Sequence, residues 1–405
     1  MRRPNRRVFL VGLVLIAVTV LVLDPHQIAN RLFSRRRPPV PRETVDAAIA
    51  VVEEHGRKPE ELVLDLLSRR KVVFLAEFPQ IAEHPAFLAG LIPHLPDHGV
   101  YTVGVDFARS EEQDLIDRVL RAPDYDEEAV HRILFHRLPS WGYEEYAEVF
   151  RAAWQANRRR PEKERVRIIG LDARRNRRPL QLPEEERPQG AELGRLVFPD
   201  GEPDRHMADR ALAALRETGG PLLLYAGARH ALAKLHDLAY VERMADLGFQ
   251  DAERAGNLLE AELGEDITTV YLHGPWPHEG SRNGLTFAAD GLIDALLDEL
   301  PEDRRRVGFP VAGTPLADYP VERTDMAYGH GAVSFAEIAD AYLVPAPTSS
   351  LTAATPIPEF ITDEILEEAR TNFPTRVPEG AEPTDLNAYI ARVSNNLGAV
   401  LEGFK

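Results

Sequence analysis

The sequence of 405 residues contains no cysteine. That absence excludes thiolate metal sites, cysteine nucleophiles and a lipobox, and it leaves the redox compartment unread. Basic residues are under-represented: 48 lysines and arginines stand against 65 aspartates and glutamates, a net charge of −17. A balance of that sign argues against nucleic acid as a partner, because phosphate binding needs a basic surface. No internal repeat at a solenoid period is evident. What remains is ample: 44% hydrophobic residues over this length supply a sizeable core.

The N-terminus differs from the rest. Arg2, Arg3, Arg6 and Arg7 precede an uncharged run of 16 residues, Val8 to Leu23, which Asp24 and Pro25 end. At about 1.5 Å per residue the run spans roughly 24 Å, slightly short of a bilayer core of about 30 Å, and flanking arginines that snorkel make up the difference. A secretory h-region is the alternative, but no A-x-A-like cleavage site follows. Residues 1–25 are therefore expected to be a single-pass membrane anchor contacting the lipid bilayer. Arginines on both sides nearly balance the positive-inside rule, and the expected orientation puts the soluble domain outside the cytoplasm. Residues 26–42 form a basic, proline-rich linker, stiffened by FSRRRPPVP. Residues 43–405 are expected to be one domain.

In that domain, short β-branched runs alternate with amphipathic stretches. Strands are expected at Val72–Ala76, Tyr101–Asp106, Val166–Leu171, Leu222–Ala226, Thr268–His273, Val307–Val311 and Ala341–Val344. Helices are expected at 42–55, 60–68, 83–95, 111–121, 143–158, 206–217, 230–247 and 290–300, with a last one from about Thr384. Nearly continuous apolar strands between helices predict an α/β fold, a mostly parallel central sheet covered on both faces. Residues 176–203 and 345–358 read as loops.

Ligands of open parallel sheets bind outside the carboxyl ends of the strands. Those ends carry Glu77, Asp106, Asp172, the segment Gly227–His230, and His273, a set suited to activating water with or without a metal. Each has a plain structural reading as well. Glu77 suits a helix cap, Asp106 a turn, Asp172 an ion pair with its neighbouring arginines, and His273 a loop hydrogen bond. Arg205 is a candidate for holding an anionic group through its guanidinium fork. Trp141 and Tyr143 would wall the pocket mouth, or simply pack.

At these residues the chain resembles the superfamily that joins erythromycin esterases, ChaN-like haem-binding uptake proteins and TraB/Tiki metalloprotease-like proteins. VVFLAEFPQIAEHPAF resembles the opening strand and its Gly-Glu-x-His motif, and YTVGVDFARSEEQDLID the second strand. WGYEEYAEVFRAAWQANR followed by VRIIGLD resembles the next helix and strand. RHMADRAL resembles a helix in which an arginine precedes Met-Ala, and LLLYAGARHAL the strand leading to Gly-x-x-His. The order runs from about Val72 to Leu343. In the opening motif Glu77 is kept, but Pro79 stands where the histidine belongs. His84 falls where some ChaN-like members carry a further histidine, and Asp106 replaces a glutamate. Gly227–His230 is intact.

The resemblance implies a membrane-anchored, hydrolase-like protein with a partly eroded site, acting on an ester or peptide bond of a small-molecule or peptide ligand. Glu77 or His230 would be the general base. Asp106 would orient the base or join His84 and His230 around a divalent metal, and Arg205, Trp141 and Tyr143 would bind substrate. The alternatives are a non-catalytic haem- or metal-binding envelope protein, with His84, His206, His230 and Tyr225 as ligands, and a membrane scaffold.

Overall fold

The computed structural model describes residues 36–138, 140–279, 284–372, 377 and 380–405. The expected anchor lies outside them. Among the described residues no helix is long and apolar enough to cross a membrane.

Seven strands form the central sheet: β1 (Val72–Glu77), β2 (Thr102–Arg109), β3 (Arg167–Asp172), β4 (Leu222–Gly227), β5 (Ile267–Leu272), β6 (Gly308–Pro310) and β7 (Ala341–Leu343). Their order is β3-β2-β4-β1-β5-β7-β6, and all neighbours are parallel except the edge strand β6. Burial on both faces explains the unbroken apolar runs. Val73 and Leu75 of β1 enter one core, while Phe74 and Ala76 enter the other.

The first face is covered chiefly by the helices Glu83–Leu91 (α3), Gln113–Arg121 (α4), Glu127–Arg137 (α5) and Glu144–Asn157 (α6), after α1 (Arg42–His55) and α2 (Pro59–Leu67) have opened the fold. The second face carries Pro203–Thr218 (α8), Ala255–Leu263 (α10) and Leu292–Glu299 (α11), joined by α1. Between them in sequence lie Gly190–Val197 (α7) and Leu238–Asp246 (α9), and Asp363–Asn372 (α12) and Pro383–Glu402 (α13) follow the sheet.

Departures from expectation have local causes. The helix starting at Glu83 ends at Leu91 because Pro93 and Pro96 impose a 3-10 turn. The stretch expected to be helical from His230 begins only at Leu238, where the Asp237 side chain caps the amide of Tyr240. Its first eight residues are the loop that carries His230. Helices α5, α10 and α12 were not anticipated. Residues 176–203 hold a helix, α7, whose Gly194 lets it sit directly on the backbone at Leu247: a Cβ there would stand 2.0 Å from the Leu247 carbonyl oxygen.

The order of strands positions the site. After β1 the chain moves toward β2, and after β4 it crosses to β5 on the other side of β1. Connections diverging from two adjacent strands leave a crevice outside their carboxyl ends. Glu77 and Gly227 stand side by side there in the register of β1 and β4.

Two glycine substitutions test this packing by denaturant unfolding. Gly194→Ala is expected to lose about 1–3 kcal/mol, as overpacking against backbone does. Gly90→Ala is its counterpart, since nothing lies within 4 Å of a Cβ on that exposed position of α3; it should gain roughly 0.5–1 kcal/mol. Equal effects would refute the close approach of α7.

Candidate functional site

A cavity of about 690 Å³ opens at this crevice. Its wall includes Glu77, Pro79, Arg137, Asp172, Asp204, Gly227 and His230 from the strand ends and neighbouring helix termini. Val197, Phe198, Met244 and Leu247 come from α7, α9 and the turns that follow them.

His230 and Asp204 form its most ordered pair. Pro203 at the first position of α8, with Glu202 accepting from the amides of Asp204 and Arg205, starts the helix so that Asp204 points inward. Asp204 is completely buried. One of its oxygens lies 2.7 Å from His230 Nδ1 and accepts the Ala255 amide at 2.9 Å; the other accepts Arg254 at 3.1 Å. Burial opposes its charge, but His230 and Arg254 outweigh burial and hold its pKa down at about 2. An ionised Asp204 fixes the proton on Nδ1 and leaves the Nε2 lone pair available. Nε2 has no partner among the described residues. A Cβ on Gly227 would lie 3.6 Å from His230 Cδ2 and 3.7 Å from Asp106 Oδ2, so both side chains border one point on the cavity wall.

Glu77 lies below. It continues the row of Val73 and Leu75 toward the first face, whereas Asp106 alternates to the second, and the two approach each other only at the sheet edge. The Glu77 carboxyl accepts the Tyr225 hydroxyl at 2.5 Å and the Tyr146 hydroxyl at 2.9 Å. Burial first, and Asp106 second, push its pKa up to about 8. Asp106 accepts the Gly227 amide at 3.0 Å, and burial raises its pKa too, against Arg137, His230 and that amide. Arg137, at the end of α5, spans the strand ends: it donates to the Asp106 carbonyl at 2.8 Å and pairs with Asp172 at 3.1 Å. The sequence reading missed it. Its signal is the Asp126 cap followed by EEAVHRILFHR, a helix that places an arginine in the last turn.

Several expected site residues stand elsewhere. His84 is fully buried; its Nδ1 accepts the Phe78 amide at 3.2 Å and its Nε2 donates to the His273 carbonyl at 2.9 Å. Burial lowers its pKa to about 4, and neither nitrogen is left for a metal. Arg205 is exposed and does not line the cavity. Tyr143 is buried away from it, and Trp141 packs on Tyr143, Tyr146 and Arg137. His206 pairs with Ser110 at 2.8 Å, and Tyr225 is committed to Glu77. Neither the expected metal set nor the expected haem ligands converge. Among the described residues no group of three His, Asp or Glu side chains is arranged to hold a metal ion.

No known family's sequence profile matches this chain, and no curated protein matches it significantly. Solved structures do. A succinoglycan biosynthesis protein matches at 11% identity and a TM-score of 0.50, over 75% of this chain and 97% of that one. The erythromycin esterase EreC matches at 12% identity and a TM-score of 0.44, over 71% and 93%. ChaN of Campylobacter jejuni matches at 16% identity and a TM-score of 0.32, over 53% and 86%. Two of the groups whose motifs the sequence resembles are thus among the matched structures. At such identities the likeness is one of fold alone.

The raised pKa of Glu77 gives a pH test. Its folded-state value of about 8 lies above its ordinary 4.5. The stability it contributes is therefore complete below about pH 4.5 and is lost as pH rises through about 8. Glu77→Gln, which imitates the protonated acid, should gain on the wild type in thermal midpoint across that window. Parallel curves for the two proteins would show that Glu77 is ionised at neutral pH.

Proposed function

We propose that the cavity is a hydrolase site in which His230, oriented by Asp204, is the general base. The observation that carries this reading is the 2.7 Å contact from His230 Nδ1 to a fully buried carboxylate, with Nε2 unengaged at the cavity wall. The arrangement suits removal of a proton from water as it adds to a carbonyl carbon, and return of that proton to the leaving group as the acyl bond breaks. Negative charge developing on the carbonyl oxygen would fall within a wall that carries six arginines.

Glu77 has a different role from the one first expected. With both oxygens engaged by tyrosine hydroxyls and a proton held near neutral pH, it is a poor base. It serves as a neutral floor, and Asp106 with Arg137 completes the charge balance beneath His230. The chemistry so described needs no metal. The carrier reading is not favoured, because its proposed ligands are dispersed.

We extend the proposal to location: residues 1–25 anchor the chain in a membrane, with the hydrolase domain outside the cytoplasm. The support is the sequence of that segment, a basic start followed by the apolar run Val8–Leu23.

Three measurements test these readings. His230→Ala should lower hydrolysis across a panel of chromogenic esters by roughly 10²–10⁴-fold, the usual worth of a general base. Asp204→Asn should lower kcat more than it changes KM, since orientation and not binding is lost. Wild-type rates in His230→Ala would end the hydrolase reading. For the anchor, deletion of residues 1–25 should move the protein from the membrane fraction to the supernatant; a chain that is already soluble when intact refutes it.

A further inference from the structure

The cavity's arginines are not equivalent. Arg137 pairs with Asp172, Arg254 with Asp204 and Asp237, and Arg229 with Asp237 and Asp325. Arg175 and Arg243 are different: neither has a carboxylate within ion-pair distance among the described residues. Each instead lies against an aromatic face, Arg175 at 5.0 Å from the Phe198 ring and Arg243 at 5.5 Å from that of Tyr240.

We propose that Arg175 and Arg243 are the anion subsite of this cavity, and that its substrate is an amphipathic anion. A carboxylate or phosphate-class head would sit against the two guanidiniums, and an apolar body against Val197, Phe198, Met244 and Leu247. The proposal rests on reading the cavity as the active site.

Five points converge on it. Arg175 is half-buried with no carboxylate in contact, a costly state for a cation, and burial lowers its pKa, while Arg243 stands at the exposed rim of the same cavity. The fields of Arg137, Arg109 and Arg243 add to that penalty at Arg175, which an anion bound there would relieve. The guanidinium fork matches two oxygens of a carboxylate or phosphate. The acids nearby would not repel an anion: Asp172 is paired with Arg137, Asp204 with Arg254, and Glu77 retains its proton at neutral pH. The apolar residues share the same wall, and about 690 Å³ falls within the range of small-molecule sites.

The test is calorimetric titration of the full-length chain in detergent with phenyl phosphate, phenylacetate and the neutral 2-phenylethanol. Both anions should bind at least about tenfold more tightly than the alcohol. Arg175→Gln and Arg243→Gln should each weaken anion binding about tenfold or more while leaving 2-phenylethanol unchanged, which also reports that the cavity is intact. Arg195→Gln, on the exposed side of α7, should change neither. The ratio of the two anion affinities tells which head the subsite prefers. Equal binding of alcohol and anions, or unchanged anion binding in both variants, overturns the proposal.

The two readings fail separately. His230→Ala should keep wild-type anion binding. Anion binding with no hydrolysis of any ester supports the subsite and ends the hydrolase reading. Hydrolysis of neutral esters as fast as anionic ones, unchanged in Arg175→Gln, does the reverse.

Discussion

Asp204 is the residue on which the rest of the site depends. A fully buried carboxylate is tolerable only when hydrogen bonds and opposite charge replace the water it has lost. Here the replacements come from separate parts of the chain: His230 in the loop after β4, and Arg254 and the Ala255 amide at the start of α10. One group thus ties the first turn of α8 to two segments that follow β4. Removing any partner would leave charge unbalanced in a dry interior, so the loop that carries His230 is held in place although it has no regular secondary structure. Asp237 does the same a few ångströms along the network. It caps α9 and accepts both Arg229 and Arg254.

The second assembly, beneath the sheet edge, follows the opposite logic. Glu77 has no cation in direct contact, and its neighbours are two hydroxyls and another acid. The cheapest state of such a group near neutral pH is the protonated one. Arg137 then has two acids to serve, Asp172 by direct pairing and Asp106 through its backbone carbonyl and at longer range, and they hold its charge firmly. The site thus holds an ionised acid against an imidazole, Asp204 in the first turn of α8, and a strand-end acid that keeps its proton, Glu77.

Much of the frame was legible in the sequence because strand periodicity and burial are local signals. The seven strands lie within a few residues of where the apolar runs put them, and the doubly covered sheet follows from their lack of alternation. Glu77, Asp106 and His230 were legible because strand ends are predictable and polar residues there are few. Their division of labour was not. It depends on Tyr146, Tyr225, Arg137, Asp204 and Arg254, which reach the site from other elements, and a linear pattern gives no sign of which side chains will meet. His84 shows the converse: a histidine near a motif position proves to be a neutral core residue bridging two backbone groups. Arg205, a neighbour of Asp204 in sequence, points outward because successive residues of a helix diverge by about 100°.

The segment 176–203 shows why composition misleads most where function is decided. Its prolines, glycines and charges read as an exposed loop, yet Gly194 brings α7 onto the turn after α9, and Val197 and Phe198 become cavity wall. Phe198 also gives the Arg175 guanidinium a flat surface on which to rest without a counter-ion. A charged side chain held by an aromatic face stays in position yet keeps its hydrogen-bonding edge unused. The strand ends supply acids already neutralised by their own partners, whereas Arg175, just ahead of this segment, and Arg243 of α9 have no carboxylate within ion-pair distance among the described residues. The sheet brings the strand-end acids to one crevice, and the elements packed over its edge bring Arg175, Arg243 and the apolar residues to the same wall.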